Sequence, residues 1–324
     1  MPVSAEKGKR TKEVTSYGDW MSQLPPDRHS VPLSDLAIPG SHDSMSYDLD
    51  INSSIIEPDR LKKFSKICCA RKIVRKWAMT QWLVMQEETI TKQLDAGVRY
   101  FDLRIARKPN DPNPTRLYFY HGLCTRTDVE TVLKDINDWA GRHPKEILIL
   151  AFSHFKGFDK STEKQLHTHL INFIKTLFGA KLIPKGAIPT LKSCWDKGRN
   201  VIVSYDYAAS QDPELWRKIL YYYGNSMNLT EVESKLQQEL KKGKPYGFFV
   251  CGLNLTLPDN ARILKYTLRL FDNFLNVVRR SLPMLLQWVT VQAGKTPMNI
   301  VASDLATYGD FVPTVVKLNI SKRV

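Results

Sequence analysis

Long apolar runs are missing from this chain. Nowhere do its 324 residues approach the ~18 uninterrupted apolar positions that a transmembrane helix needs. The opening stretch, MPVSAEKGKRTKEVTSYGDW, has no apolar core of the kind a secretory signal carries, so a cytoplasmic protein is expected. Cysteine is scarce and odd in number: Cys68, Cys69, Cys124, Cys194 and Cys251. No C-x-x-C or Cys/His spacing suits zinc, which leaves reduced thiols rather than a disulfide framework or a metal knot. Internal repeats and Gly/Ser- or Pro-rich linkers are also lacking, so no domain boundary shows. Acid is short relative to base, 33 residues against 47, for a net charge of +14. A balance of that sign calls for an acidic partner: a membrane surface, nucleic acid or a phosphorylated metabolite.

What is present alternates. Apolar runs of strand length (LSDLAIPG, VRYFDLRIA, RLYFYHG, EILILAFSHF, NVIVSYD, GFFVCGLNL, MNIVASDL) are separated by helical patterns. Several runs are apolar at nearly every position, as expected of parallel strands covered on both faces. In TDVETVLKDINDWAGRHP, Thr127 and Glu130 read as a capping box, followed by a stripe of Val129, Leu133, Ile136 and Trp139. A second helix is expected from Ser161 to Gly179. Seven or eight such strands in one unit favour a closed α/β barrel, an irregular (β/α)8 barrel of TIM type, over an open sheet. The irregularity lies early, where nearly sixty residues separate the first two strands. We expect residues 1–18 to form a flexible segment and 19–324 a single barrel domain.

Three polar stations follow the first three strands: His42 and Asp43 in IPGSHDS, Asp102 and Arg104 in YFDLRIA, and His121 in YFYHGL. Barrel enzymes work at the carboxyl ends of their strands. Asp102 and Arg104, two apart on a strand, point the same way. Two imidazoles and a guanidinium suit a phosphodiester. A neutral histidine takes a proton from a hydroxyl nucleophile, a protonated one supplies the departing alkoxide, and arginine opposes the charge that develops on the phosphoryl oxygens. Each histidine needs a carboxylate to fix its tautomer, and Asp43, Asp102 and Asp304 are the candidates.

The segments LAIPGSHDSMSYDL, VRYFDLR, YFYHG and NIVASDL resemble the X-domain signatures of phosphatidylinositol-specific phospholipase C. From about Asp19 to Leu318 the chain is similar to the small eukaryotic X-domain-containing proteins, which lack the accessory modules of the signalling enzymes. The resemblance implies that His42 is the general base acting on the inositol 2-hydroxyl, His121 the general acid, and Arg104 the phosphate ligand. It pairs Asp304 with His42 and Asp43 with His121; Asp102 lies beside the phosphate, where it orients Arg104 or His121. The implied products are diacylglycerol and a cyclic inositol phosphate. Calcium-dependent relatives carry a carboxylate where Arg104 stands, so no metal and no other cofactor is expected here. His154, Lys156, Tyr205 and Asn254 are further candidates for gripping the headgroup.

The stretch RLKKFSKICCARKIVRKW, Arg60 to Trp77, holds eight basic residues and no acid. It suits an anionic bilayer surface, with Arg75, Lys76 and Trp77 as the membrane contact; the alternative is a solvated helix packed on the barrel. Cys68 and Cys69 are either palmitoylation sites or core thiols. His29, His143, His167 and His169 read as surface histidines, and the tyrosines of YYYGN as packing residues. No nucleic-acid motif interleaves with the basic charge. The expected partner is therefore phosphatidylinositol in an anionic membrane, met reversibly by a monomer. Two other classes remain in view: a phosphoinositide-binding protein with little turnover, and a glycerophosphodiesterase-like barrel. The latter needs a metal-binding Glu/Asp cluster near its first histidine, and IPGSHDSMSYDLD lacks the expected glutamate.

Overall fold

The computed structural model describes residues 17–54, 56, 83–208, 212–256, 274–296 and 298–320. The basic stretch with Cys68, Cys69, Arg75, Lys76 and Trp77 lies outside the described residues.

Among the described residues nine strands follow one another: β1 (Ile38–Ser41), β2 (Tyr100–Ala106), β3 (Tyr118–His121), β4 (Leu123–Asp128), β5 (Leu148–Lys156), β6 (Val201–Tyr205), β7 (Leu220–Tyr223), β8 (Phe249–Gly252) and β9 (Ile300–Ser303). Seven of them pair in parallel in the order β6-β5-β2-β1-β9-β8-β7. Among the described residues no ladder joins β6 to β7; the segment leading into β7 meets β6 at one residue. Trp216 bridges Ser204 in parallel, its N–H donating to the Val203 carbonyl and its own carbonyl accepting from Tyr205 N–H. The architecture is an irregular α/β barrel of TIM type. Apolar runs such as Leu148–Phe152 and Val201–Val203 are buried throughout because they carry neighbours on both faces.

Eight helices are defined among the described residues: α1 (Trp20–Gln23), α2 (Ile90–Asp95), α3 (Val129–Arg142), α4 (Glu163–Phe178), α5 (Leu191–Asp196), α6 (Leu229–Lys241), α7 (Phe274–Ala293) and α8 (Phe311–Lys317). The stripe of α3 is buried as its spacing requires, with Val129, Val132, Leu133, Ile136 and Trp139 turned inward. Its cap differs from the expected box. Asp128, not Thr127, accepts from Thr131 N–H, because the helix begins at Val129 and Asp128 is the residue directly before it. Tyr17 and Gly18 belong to the fold rather than to a free leader, since both carbonyls accept from Arg99.

Two departures from a regular barrel shape the site. First, β3 and β4 form an antiparallel hairpin attached to the end of β2 through the pairs Ile105↔Phe119 and Ala106↔Tyr118. Second, the link between β1 and β2 carries only α2 among its described helices. Gly40 is required in β1: a Cβ there would lie 2.9 Å from the Tyr100 ring and 3.0 Å from the Ile300 side chain. That close approach lets β1 sit deep between β2 and β9, with the next residues, His42 and Asp43, at the mouth.

Candidate active site

At the mouth the chain bends sharply three times. Asp43 (φ +43°), His154 (φ +53°) and Leu305 (φ +50°) all adopt left-handed backbone that a side chain disfavours. Non-glycine residues held this way cluster where function requires it. The bend at Asp43 comes two residues after β1 ends, and the bend at Leu305 follows directly on Asp304.

The expected groups converge. His42 Nδ1 lies 2.8 Å from Asp304 Oδ1. Its Nε2 lies 2.9 Å from Arg104 Nη2 and 3.3 Å from Asp43 Oδ2. The same Asp43 oxygen is 3.4 Å from His121 Nε2, so one carboxylate bridges both imidazoles. Arg104 Nε sits 2.8 Å from Asp43 Oδ1, and Asp102 Oδ2 is 3.2 Å from both Nε and Nη2. Asp102 therefore orients Arg104, not His121. It also accepts from Asp43 N–H at 3.3 Å, tying β2 to the turn after β1.

The two histidines stand in opposite hydrogen-bond settings. His42 faces an acceptor at Nδ1, and at Nε2 the guanidinium donor lies nearer, at 2.9 Å, than the Asp43 carboxylate, at 3.3 Å, which suits a proton on Nδ1 and a lone pair on Nε2. His121 faces acceptors at both nitrogens: the Leu83 carbonyl 2.7 Å from Nδ1, and Asp43 at Nε2. Either nitrogen can act as a donor there. Burial pulls the His42 imidazole down, but the charges of Asp43 and Asp304 outweigh it and the net direction is up. Burial pushes Asp43 up, yet Arg104 and the two imidazoles hold it down to about 2. For Asp304 burial wins, and its carboxyl is raised despite the His42 contact. Carboxylates raise Arg104 further still against a burial penalty, so it stays charged. His42, Asp43 and Asp102 bring donor atoms within 4.8 Å of one another, a spacing a cation can use. Arg104 already contacts all three.

The headgroup candidates divide. His154 is exposed at the mouth, its Nδ1 2.8 Å from Ser153 Oγ, which reaches Asp102 at 3.5 Å. Lys156 closes β5 two residues on and is partly buried. Asn254 is buried and accepts from the Tyr221 hydroxyl at 2.9 Å. Tyr205 is a correction. It is 4% exposed, and its hydroxyl is engaged with His167 Nδ1 at 2.8 Å inside a cluster with Phe152 and Phe155. His167 is likewise core rather than surface: it stacks on Tyr207, and burial lowers its imidazole to about 4.

Two contributors were not visible from pattern. The Tyr221 ring lies 6.0 Å from that of His42 and over Gly252, where a Cβ would be 2.5 Å from it. Burial pushes its phenol well up, so its hydroxyl stays a donor. Leu83 contributes only a carbonyl, which no side-chain motif announces.

This barrel fold recurs in solved bacterial structures. Solved structures of phosphatidylinositol-specific phospholipase C from Staphylococcus aureus (TM-score 0.63, 18% identity, 94% of this chain and 98% of that one) and Listeria monocytogenes (0.60, 20%, 94% and 99%) share the fold. A family model described as PI-PLC X 1 matches residues 62–242. Human PI-PLC X domain-containing protein 1 is 39% identical over 311 residues, 93% of this chain and 92% of that one. Bovine PI-PLC X domain-containing protein 3 is 35% identical over 318 residues, 95% of each. The chain belongs to the PI-PLC X domain family.

Proposed function

We propose that this protein is a metal-independent phospholipase C that cleaves phosphatidylinositol to diacylglycerol and a cyclic inositol phosphate. One observation carries the reading: two histidines share the Asp43 carboxylate, one in a setting that suits a base and the other in a setting that suits an acid. Arg104, drawn toward the phosphate oxygens of a bound lipid, releases the Nε2 lone pair of His42. That nitrogen accepts the proton of the inositol 2-hydroxyl as its oxygen bonds to phosphorus. The bond from phosphorus to the diacylglycerol oxygen breaks, and His121 gives that oxygen its Nε2 proton. Arg104 donors meet the charge that grows on the non-bridging oxygens. Asp43 keeps the rings in register, and Asp304 fixes the His42 tautomer. His154, Lys156 and the Tyr221–Asn254 pair line the side where the headgroup sits.

Access to the lipid is peripheral in this reading, from the cytoplasm. None of the described helices is long and apolar enough to cross a membrane. The basic stretch ending in Arg75, Lys76 and Trp77 supplies the attraction to an anionic surface.

The test is hydrolysis of a labelled lipid panel in vesicles, with and without a calcium chelator. Wild type releases water-soluble inositol phosphate from phosphatidylinositol equally under both conditions. His42→Ala and His121→Ala each lower the rate by about 10²–10⁴-fold. A wild type that sediments with the vesicles but releases nothing would replace the enzyme with a lipid-binding protein. Loss of activity on chelation would overturn the metal-independent mechanism.

A further inference from the structure

The ladder between β1 and β9 ends one residue before the chemistry begins. Its last rung pairs Ser41 with Ser303, and His42 N–H then donates to the Ser303 carbonyl at 3.1 Å. Beyond that point both chains swing into left-handed turns, at Asp43 and Leu305. Among the described residues no strand partner remains for the His42 carbonyl or the Ala306 N–H. Yet His42 and Asp304 must stay side by side here for their 2.8 Å contact to hold.

Gln86 fills that gap. Its side chain is buried, with the residue only 1% exposed. The amide nitrogen donates to the His42 carbonyl at 2.8 Å and to the Ser303 carbonyl at 3.0 Å, and the amide oxygen accepts from Ala306 N–H at 2.9 Å. A primary amide offers two donors and an acceptor in one plane, which is what three backbone groups from two diverging strands require. The same short segment is fixed from several sides. Ser46 Oγ accepts from both Met85 and Gln86 N–H, and the Met85 carbonyl accepts from Leu305 N–H. Three residues earlier the Leu83 carbonyl holds His121. A strap of four residues therefore meets the backbone under the base, the turn under its carboxylate and the ring of the acid.

We propose that Gln86 is a positioning residue for the proposed phospholipase reaction: its carboxamide extends the β1–β9 ladder by a side chain and thereby sets the His42–Asp304 hydrogen bond. The proposal rests on the reading of His42 as the base, and the experiment keeps the two separable. Gln86→Ala is compared with wild type for kcat and KM, for the pH dependence of kcat/KM, and for the downfield proton resonance of His42 Nδ1–H, assigned by its loss in His42→Ala. Loosening the dyad by a fraction of an ångström to an ångström lowers kcat by about 10²-fold, with KM little changed. It moves the ascending limb of the profile toward acid and broadens or removes the Nδ1 proton signal. In an Asp304→Ala background the same substitution costs little more, because the bond it supports is already gone.

Additive losses in that double variant, or a wild-type Nδ1 signal in Gln86→Ala, would overturn the positioning role. A structural role alone lowers Tm but leaves the signal in the folded fraction. If Gln86→Ala folds poorly, Gln86→Met keeps the volume without the hydrogen bonds and is read in the same way at reduced temperature. If wild type hydrolyses no lipid, the functional reading fails. The Nδ1 signal in the Gln86 variants still decides whether the carboxamide sets the dyad.

Discussion

Arg99 and Arg104 stand at opposite ends of one strand and do different work. Arg99, at the foot of β2, is fully buried against Glu146, with Nε and Nη2 at 3.0 and 2.9 Å from Oε2. Its remaining donors reach the Leu94, Val98 and Gly18 carbonyls, and its plane lies 4.8 Å over the Trp139 ring. Nothing is left over for a ligand. Glu146 completes the knot by accepting from Met21 and Ser22 N–H, which pins the N-terminal helix to the barrel floor. Arg104 keeps 23% of its side chain exposed, and its contacts are with groups that change charge or move a proton. Among the described residues no hydrogen bond reaches its Nη1. A saturated guanidinium is a rivet; a half-engaged one at the mouth has a donor to spare, as the phosphate role proposed for Arg104 requires.

That contrast can be broken from either end. Arg99→Ala strands a buried carboxylate and should destabilise the fold by about 3–5 kcal/mol. Urea denaturation reads the loss, while activity per folded molecule is kept. Arg104→Lys keeps the charge but not the fork, so it should cut hydrolysis by about 10²–10³-fold with little change in Tm. Equal losses of stability from the two substitutions would erase the distinction.

Asp304→Ala tests the base at the mouth. The two carboxylates raise His42 above its ordinary 6.5, so in wild type the ascending limb of kcat/KM lies on the alkaline side of that value. Removing Asp304 should lower the rate by about 10²-fold and shift the limb toward acid. A limb that stays in place would mean that another group titrates.

The smallest effect concerns Asp43. Its folded value, about 2, lies below the unfolded 3.8, so its contribution is present above 3.8 and lost as pH falls through about 2. Between about pH 5 and pH 1, wild type should lose about 2 kcal/mol more than Asp43→Asn. Equal acid sensitivity would show that the carboxylate is not held by Arg104 and the histidines.

Much of this site is legible in the chain because chemistry and strand ends coincide. His42, Arg104, His121 and Asp304 sit in or just after apolar runs that can only be buried strands, and a barrel gathers such ends at one face. What escaped reading lacks that signature. Strand β7 is exposed at both ends and half-covered between, so LYYY shows neither alternation nor full burial, and Tyr221 was hidden with it. Leu83 and Gln86 act on backbone and ring atoms up to 220 residues distant, through a carbonyl and an amide that pattern cannot rank. Tyr205 misled because a polar tip at a strand end looks like a mouth residue; the aromatic cluster around His167 claims it instead.

The hairpin that carries His121 has an evolutionary corollary. It is grafted onto β2 by two residue pairs and takes no part in the parallel pairing of the seven strands. Descendants of this scaffold can reshape the tip of that branch without touching the parallel ladders, while Phe119, packed in the main core, anchors its base. A lineage that lost His121 would retain His42, Arg104 and their carboxylates, which in the proposed mechanism leaves a phosphate site without the group that protonates the departing alcohol.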